Sequence, residues 1–113
     1  MTKMGKVVDN DNEDMVQIVS QDERRRILRL LLEKKLNISD LSKATHLDRA
    51  TVSYHLGILE GAGIVFSGYE MLKPPNSMGK VGRYYTVNQE KLVKALKPLD
   101  ELMKSLRVPQ KVP

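Results

Sequence analysis

One stretch constrains this chain more than any other. In DRATVSYHLGILEGAGIV, from Asp48 to Val65, the apolar residues Val52, Leu56 and Leu59 stand at i, i+4 and i+7, and two glycines follow. That spacing draws a single apolar stripe along a helix. Asp48 is a suitable cap for its first turn, and Gly61 and Gly63 supply a stop, because glycine adopts the left-handed conformation of a helix end without steric cost. A buried stripe dictates what points away from it: Arg49, Ala50, Ser53, Tyr54 and Gly57 project on the opposite side.

Just upstream lies a second, shorter helical pattern. Ser39 is read as its cap, Leu41 and Ala44 as its inward residues, and Leu47 as the plug of the turn that follows. Two helices joined by a tight turn, the second presenting a polar face, is the layout of a helix-turn-helix, whose second helix enters the major groove of DNA. Arg49 and Thr51, in the first turn, are placed for phosphates or base edges, where helix-terminal N–H groups also favour an anion. Ser53 and Tyr54 can donate or accept at base edges, and Ala50 can meet a thymine methyl. The plainer alternative is that these are caps and solvated surface.

The flanks extend the pattern. Ser20 followed by Glu23 reads as a capping box, opening a helix with Ile27, Leu30 and Leu31 on its stripe, widened by Leu28 and Leu32 and ending near Leu36. Beyond the glycine stop, Ile64–Tyr69 and Arg83–Val87 are rich in β-branched and aromatic residues and read as a hairpin. Its long loop contains Lys73, Pro74, Pro75, Met78 and Lys80, with Met71 at its entrance. Asn88 then caps a last helix, in which Leu92, Leu96, Leu99, Met103 and Leu106 alternate spacings of four and three, a heptad-like seam. Pro98 is expected to bend or restart that helix. The expected fold is mostly α with a small β-hairpin (α+β). Its parts are a mobile acidic tail over 1–19, a core domain over 20–87, a C-terminal helix over 88–107 and a tail over 108–113.

A chain of 113 residues has room for one core. The seam on the last helix therefore exceeds what the first three helices need, and a dimer interface is favoured over ordinary core. Charge is unevenly spread: the net charge is +5, and Lys3 and Lys6 against Asp9, Asp11, Glu13 and Asp14 leave residues 1–19 at −2, so the remainder carries +7. A body this basic favours an anionic partner. Arg24, Arg25, Arg26 and Arg29 form a basic cluster, either a solvated face paired with Asp22, Glu23 and Glu33 or a phosphate-contacting or dimer-flanking one. The absence of cysteine excludes disulfides, thiolate metal sites and cysteine nucleophiles. No catalytic constellation or phosphate loop is present, so no enzyme is expected. No apolar run approaches the roughly 20 residues that span a bilayer, and the N-terminus lacks the layout of a signal peptide; the expectation is a cytoplasmic protein with no membrane partner.

The segment from Ile38 to Val87 resembles the winged helix-turn-helix of ArsR-type transcriptional regulators. TVSYHLGILEGAGIV is similar to the family's recognition helix and following strand, and GRYYTV resembles its second wing strand. The resemblance implies a homodimer, held by its N- and C-terminal helices, on a palindromic double-stranded DNA operator; the seam of Leu92, Leu96, Leu99, Met103 and Leu106 read above supplies the interface residues on the last helix. It assigns Thr51, Ser53 and Tyr54 to the groove, and Lys80 and Arg83 to the wing, with Lys73 in the same loop. Gly57 departs from the family, which often has a basic or polar residue there. Metal sensing is not expected: there is no cysteine, the last helix has no histidine, and His46 and His55 alone fall short of the about four ligands zinc takes. No cofactor is expected, and His55 is read as packed or hydrogen-bonded. Two other roles remain open: a winged-helix protein-interaction module and an architectural protein that coats DNA with little sequence preference.

Overall fold

The stripes read from the sequence converge on one core. The computed structural model describes residues 15–72 and 79–107. Its elements are α1 (15–20), α2 (Asp22–Glu33), β1 (Leu36–Asn37), α3 (Ile38–Thr45), α4 (Arg49–Gly61), β2 (Val65–Met71), β3 (Val81–Val87) and α5 (Gln89–Ser105). Ile27, Leu28 and Leu31 of α2 meet Leu41 of α3 and Val52, Leu56 and Leu59 of α4, while Tyr85 and Val87 close the far side. Full burial of each such aliphatic side chain contributes about 1.5–3 kcal/mol. The sheet has the order β1-β3-β2 and is antiparallel throughout. The predominantly helical fold with a small antiparallel sheet agrees with the expected class, and the sheet has one strand more than the hairpin.

That extra strand is β1, whose Leu36 and Asn37 pair with Tyr85 and Tyr84. Consequently α2 ends at Glu33 rather than near Leu36, and Lys34 is already extended. The N-terminal boundary moves as well. Residues 15–20 are helical and Val19 lies in the core at 2% exposure, so the segment read as tail contributes core at its end. The acidic patch from Asp9 to Asp14, the loop residues Lys73 and Met78, and the tail 108–113 lie outside the described residues.

Four local readings change. Ser20 is not the cap of α2: its hydroxyl donates to the Val16 carbonyl inside α1, and the Gln21 side chain accepts from Arg24 N–H at 3.0 Å. Ser39 falls inside α3, whose cap is Asn37, accepting from Asp40 N–H at 2.8 Å. Ala44 faces solvent while Thr45 is buried, its hydroxyl donating to the Leu41 carbonyl at 2.7 Å, so one turn of α3 is rotated from the expected face. Gly61 is still helical, and only Gly63, at φ 79°, takes the left-handed conformation. The Asp48 and Asn88 caps are as expected, accepting from Thr51 and Lys91 N–H groups. Pro98 lies within α5, which continues past it to Ser105 without a restart.

Candidate nucleic-acid interface

The turn between α3 and α4 is fixed by hydroxyls rather than by glycine. Ser42 Oγ donates to the Leu47 carbonyl at 2.6 Å, Leu47 N–H donates to Thr45 Oγ1 at 3.3 Å, and Arg26 reaches across from α2 to the Thr45 carbonyl at 2.6 Å. His46 takes the left-handed conformation there at φ 64°, a position a non-glycine residue occupies only where its surroundings hold it. With the turn pinned and Val52, Leu56 and Leu59 at 0–1% exposure, α4 has one rotational setting. Arg49, Ala50, Ser53, Tyr54 and Gly57 are all exposed along it, and Thr51 is half-buried. Tyr54 is 63% exposed, an amphipathic ring standing clear of the surface. Arg49 makes no ion pair among the described residues.

Asp48 sits at the N-terminus of this helix with its carboxylate on Thr51 N–H at 2.7 Å, and that bond holds its pKa below the ordinary 3.8. A depressed carboxylate pKa means stabilisation that is full above the unfolded value and disappears as pH falls through the folded one. Asp48→Ala is therefore expected to melt below wild type at neutral pH, with the gap closing in acid below about 4. Thermal melts across that range would show it, and a gap that persists at pH 2 would assign the loss to something other than the ionised cap.

His55 is the one α4 residue in this stretch that turns inward without being apolar. It is 4% exposed. Its Nε2 lies 2.7 Å from Glu23 Oε1, and its Nδ1 lies 3.0 Å from Arg24 Nη1. A guanidinium only donates, so Nδ1 accepts and Nε2 carries the proton that Glu23 receives. Arg24 also donates through Nε to the Ile18 carbonyl at 2.6 Å. The network thus ties α1, α2 and α4 together, and Glu23, read as half of a capping box, is instead the anchor of the recognition-helix candidate. The arginine cluster is largely engaged in this scaffolding: Arg24 and Arg26 as described, and Arg25 on Asp22 at 3.0 Å. Among the described residues no group of three or more His, Asp or Glu side chains is arranged to hold a metal, and no helix is long and apolar enough to cross a membrane.

The wing residues divide. Lys80 is exposed just before β3 and makes no ion pair among the described residues. Arg83 does not project freely. Its Nη2 donates to Glu60 Oε1 at 3.0 Å, its Nε donates to Ser67 Oγ at 2.9 Å, and its guanidinium stands 5.3 Å from the centroid of the Tyr85 ring. Burial pushes the Tyr85 phenol pKa up, and Arg83 above it acts in the opposite direction. Neither Glu60 nor Ser67 carried a signal in the sequence, because the three residues are joined only when α4, β2 and β3 pack.

Elsewhere, α5 leaves an apolar face open. Leu92 is in the core at 9% exposure, but Leu96 and Leu99 are 39% and 37% exposed and Met103 and Leu106 more so. Leu28, Leu32, Leu92, Leu96 and Leu99 line a groove of ≈ 230 Å³ flanked by Arg25 and Arg29. Beside it, Val93, Leu96, Leu99 and Met103 border a second one of ≈ 520 Å³.

Residues 21–67 match the family described as bacterial regulatory protein, arsR family. Among solved structures, one described as a possible transcriptional regulator for arsenical resistance is 24% identical with a TM-score of 0.62, covering 79% of this chain and 83% of that one. HlyU from Vibrio cholerae is 22% identical with a TM-score of 0.58, covering 93% and 100%. The homodimeric winged helix-turn-helix DNA-binding domain Mb0332 from Mycobacterium bovis is 20% identical with a TM-score of 0.60, covering 97% and 100%. No curated protein sequence matches the chain.

Proposed function

We propose, on the premise that this chain has the winged helix-turn-helix fold of the ArsR family of transcriptional regulators, that it is a homodimeric regulator that prefers particular double-stranded DNA sequences. The observation that carries this reading is the outward face of α4: Arg49, Ala50, Ser53 and Tyr54 are exposed on a helix whose opposite face is locked in the core. Arg49 and Thr51 take the first-turn phosphate or base-edge positions, Ser53 and Tyr54 the base edges, and Ala50 a thymine methyl. Lys73 and Lys80 extend the contact along the wing. The exposed residues of α5 support pairing of two copies, as in the homodimeric Mb0332 domain of the same fold, which sets two recognition helices one helical turn of DNA apart.

Selection from a random duplex library at near-physiological salt tests this directly. An enriched inverted repeat with half-sites about one helical turn apart is the expected result. Duplex binding without enrichment would indicate a coating role, and no duplex binding a protein-interaction module. With the selected site in hand, Tyr54→Ala is expected to weaken binding by about 1–3 kcal/mol and to relax preference at one base position. A variant that loses nothing in discrimination would remove Tyr54 from the groove.

A further inference from the structure

Glu60 stands where two local rules oppose it. It lies in the last turn of α4, where the helix dipole disfavours an anion, and it adds negative charge to the helix assigned to a polyanion. A residue that breaks local rules calls for a compensating interaction, and here the compensation is specific. Both carboxylate oxygens are used: Oε1 accepts from Arg83 Nη2 at 3.0 Å and Oε2 from Ser67 Oγ at 2.9 Å, while Ser67 Oγ in turn accepts from Arg83 Nε at 2.9 Å. The three side chains form a closed ring across α4, β2 and β3. Tyr85, itself in the core, lies beneath the guanidinium.

The ring sits where the wing leaves the body. Val65 and Val87 at the sheet root are buried, whereas Tyr69, Met71 and Val81, farther out on the same sheet face, are 57–70% exposed. From the other face Lys35 pairs with Glu70. The wing is thus held on one face through Ser67 and Arg83 and on the other through Glu70. Ion pairs this exposed contribute little to stability, so the effect of the ring lies in geometry.

We propose that Glu60 is a positioning residue for duplex recognition: through Arg83 and Ser67 it fixes the wing against the end of the recognition helix and withholds Arg83 from phosphate. This rests on the duplex-binding reading above, and it replaces a phosphate-contacting role for Arg83. Its signature is a sign that simple electrostatics does not give. Removing a carboxylate near DNA ordinarily strengthens binding to every duplex alike. Loss of Glu60 instead frees one arginine for any phosphate while loosening the wing that distinguishes one sequence from another.

The test compares wild type, Glu60→Gln, Arg83→Ala and the double variant as full chains, by amide hydrogen exchange and by salt titration against the selected site and a scrambled duplex. Glu60→Gln is expected to speed exchange in β2 and β3 but not in α4. It should also cut site preference about tenfold, the scale of one lost base contact, and steepen the salt slope on the scrambled duplex by about 0.9. Arg83→Ala should lose the same preference at the wild-type slope, and the double variant should lose no more. Tighter binding of Glu60→Gln to both duplexes with unchanged preference overturns the proposal, as does a shallower slope for Arg83→Ala. If wild type binds no duplex at all, the duplex-binding reading falls, and unchanged exchange in Glu60→Gln then overturns the brace separately.

Discussion

His55→Ala is expected to lower unfolding stability by about 2–3 kcal/mol, a fall in melting temperature of roughly 10–15 °C for a domain of this size. The argument is one of orphaned partners. His55 is 4% exposed and is the only described side chain through which α4 hydrogen-bonds to α2. Its removal leaves Glu23 and Arg24 without their inward partners and opens a ring-sized void on the buried side of α4. Glu23 is one-third exposed and regains some water, which keeps the loss below that of a fully enclosed pair. His55→Phe separates the two parts, since it restores most of the volume and none of the hydrogen bonds. Chemical denaturation of both variants checks this, and a loss under about 1 kcal/mol in His55→Phe would show that packing, not the polar network, holds α4 in place.

Leu99→Asp is expected to convert the proposed dimer to monomer and to weaken binding to an inverted repeat by about 10²–10³-fold. The second half-site contact is lost, and with it an effective concentration in the millimolar range. Leu99 lies at the junction of the two grooves on α5 and is 37% exposed, so a carboxylate there remains hydrated in the monomer. In a symmetric pair it would be buried twice, once from each copy, without a partner. Sedimentation at micromolar concentration, with circular dichroism to confirm the fold, decides the matter. A dimer that survives the substitution would place the interface elsewhere.

Reading the sequence succeeded where a local pattern was strong and failed where a partner was distant. The Val52–Leu56–Leu59 stripe, the Asp48 and Asn88 caps and the two wing strands are set by neighbours within a few residues, and each appears in the structure. The misplaced caps show the limit of that signal. Ser20 and Ser39 are as competent chemically as Gln21 and Asn37, and the choice between adjacent residues is made by where α1 and β1 end. β1 has two residues, too few to show a period. Arg83 and His55 were visible as residue types, but their partners lie 16 to 32 positions away on other elements, a separation over which spacing carries no information. The described part of the candidate interface was legible because it is the complement of a buried stripe. The brace and the polar anchor were not, because each exists only through packing.

The position of β3 in the sheet bears on how the molecule comes into being. It is the last strand along the chain yet the middle one in space, lying between β1 and β2 and supplying Tyr85 and Val87 to the core. During synthesis, α3 and α4 are complete long before the strand that completes their support. Until β3 arrives, β1 and β2 have no hydrogen-bonding partner and present open edges. Closure therefore waits on contacts distant in sequence, so folding should run slower than for a helical bundle of equal length.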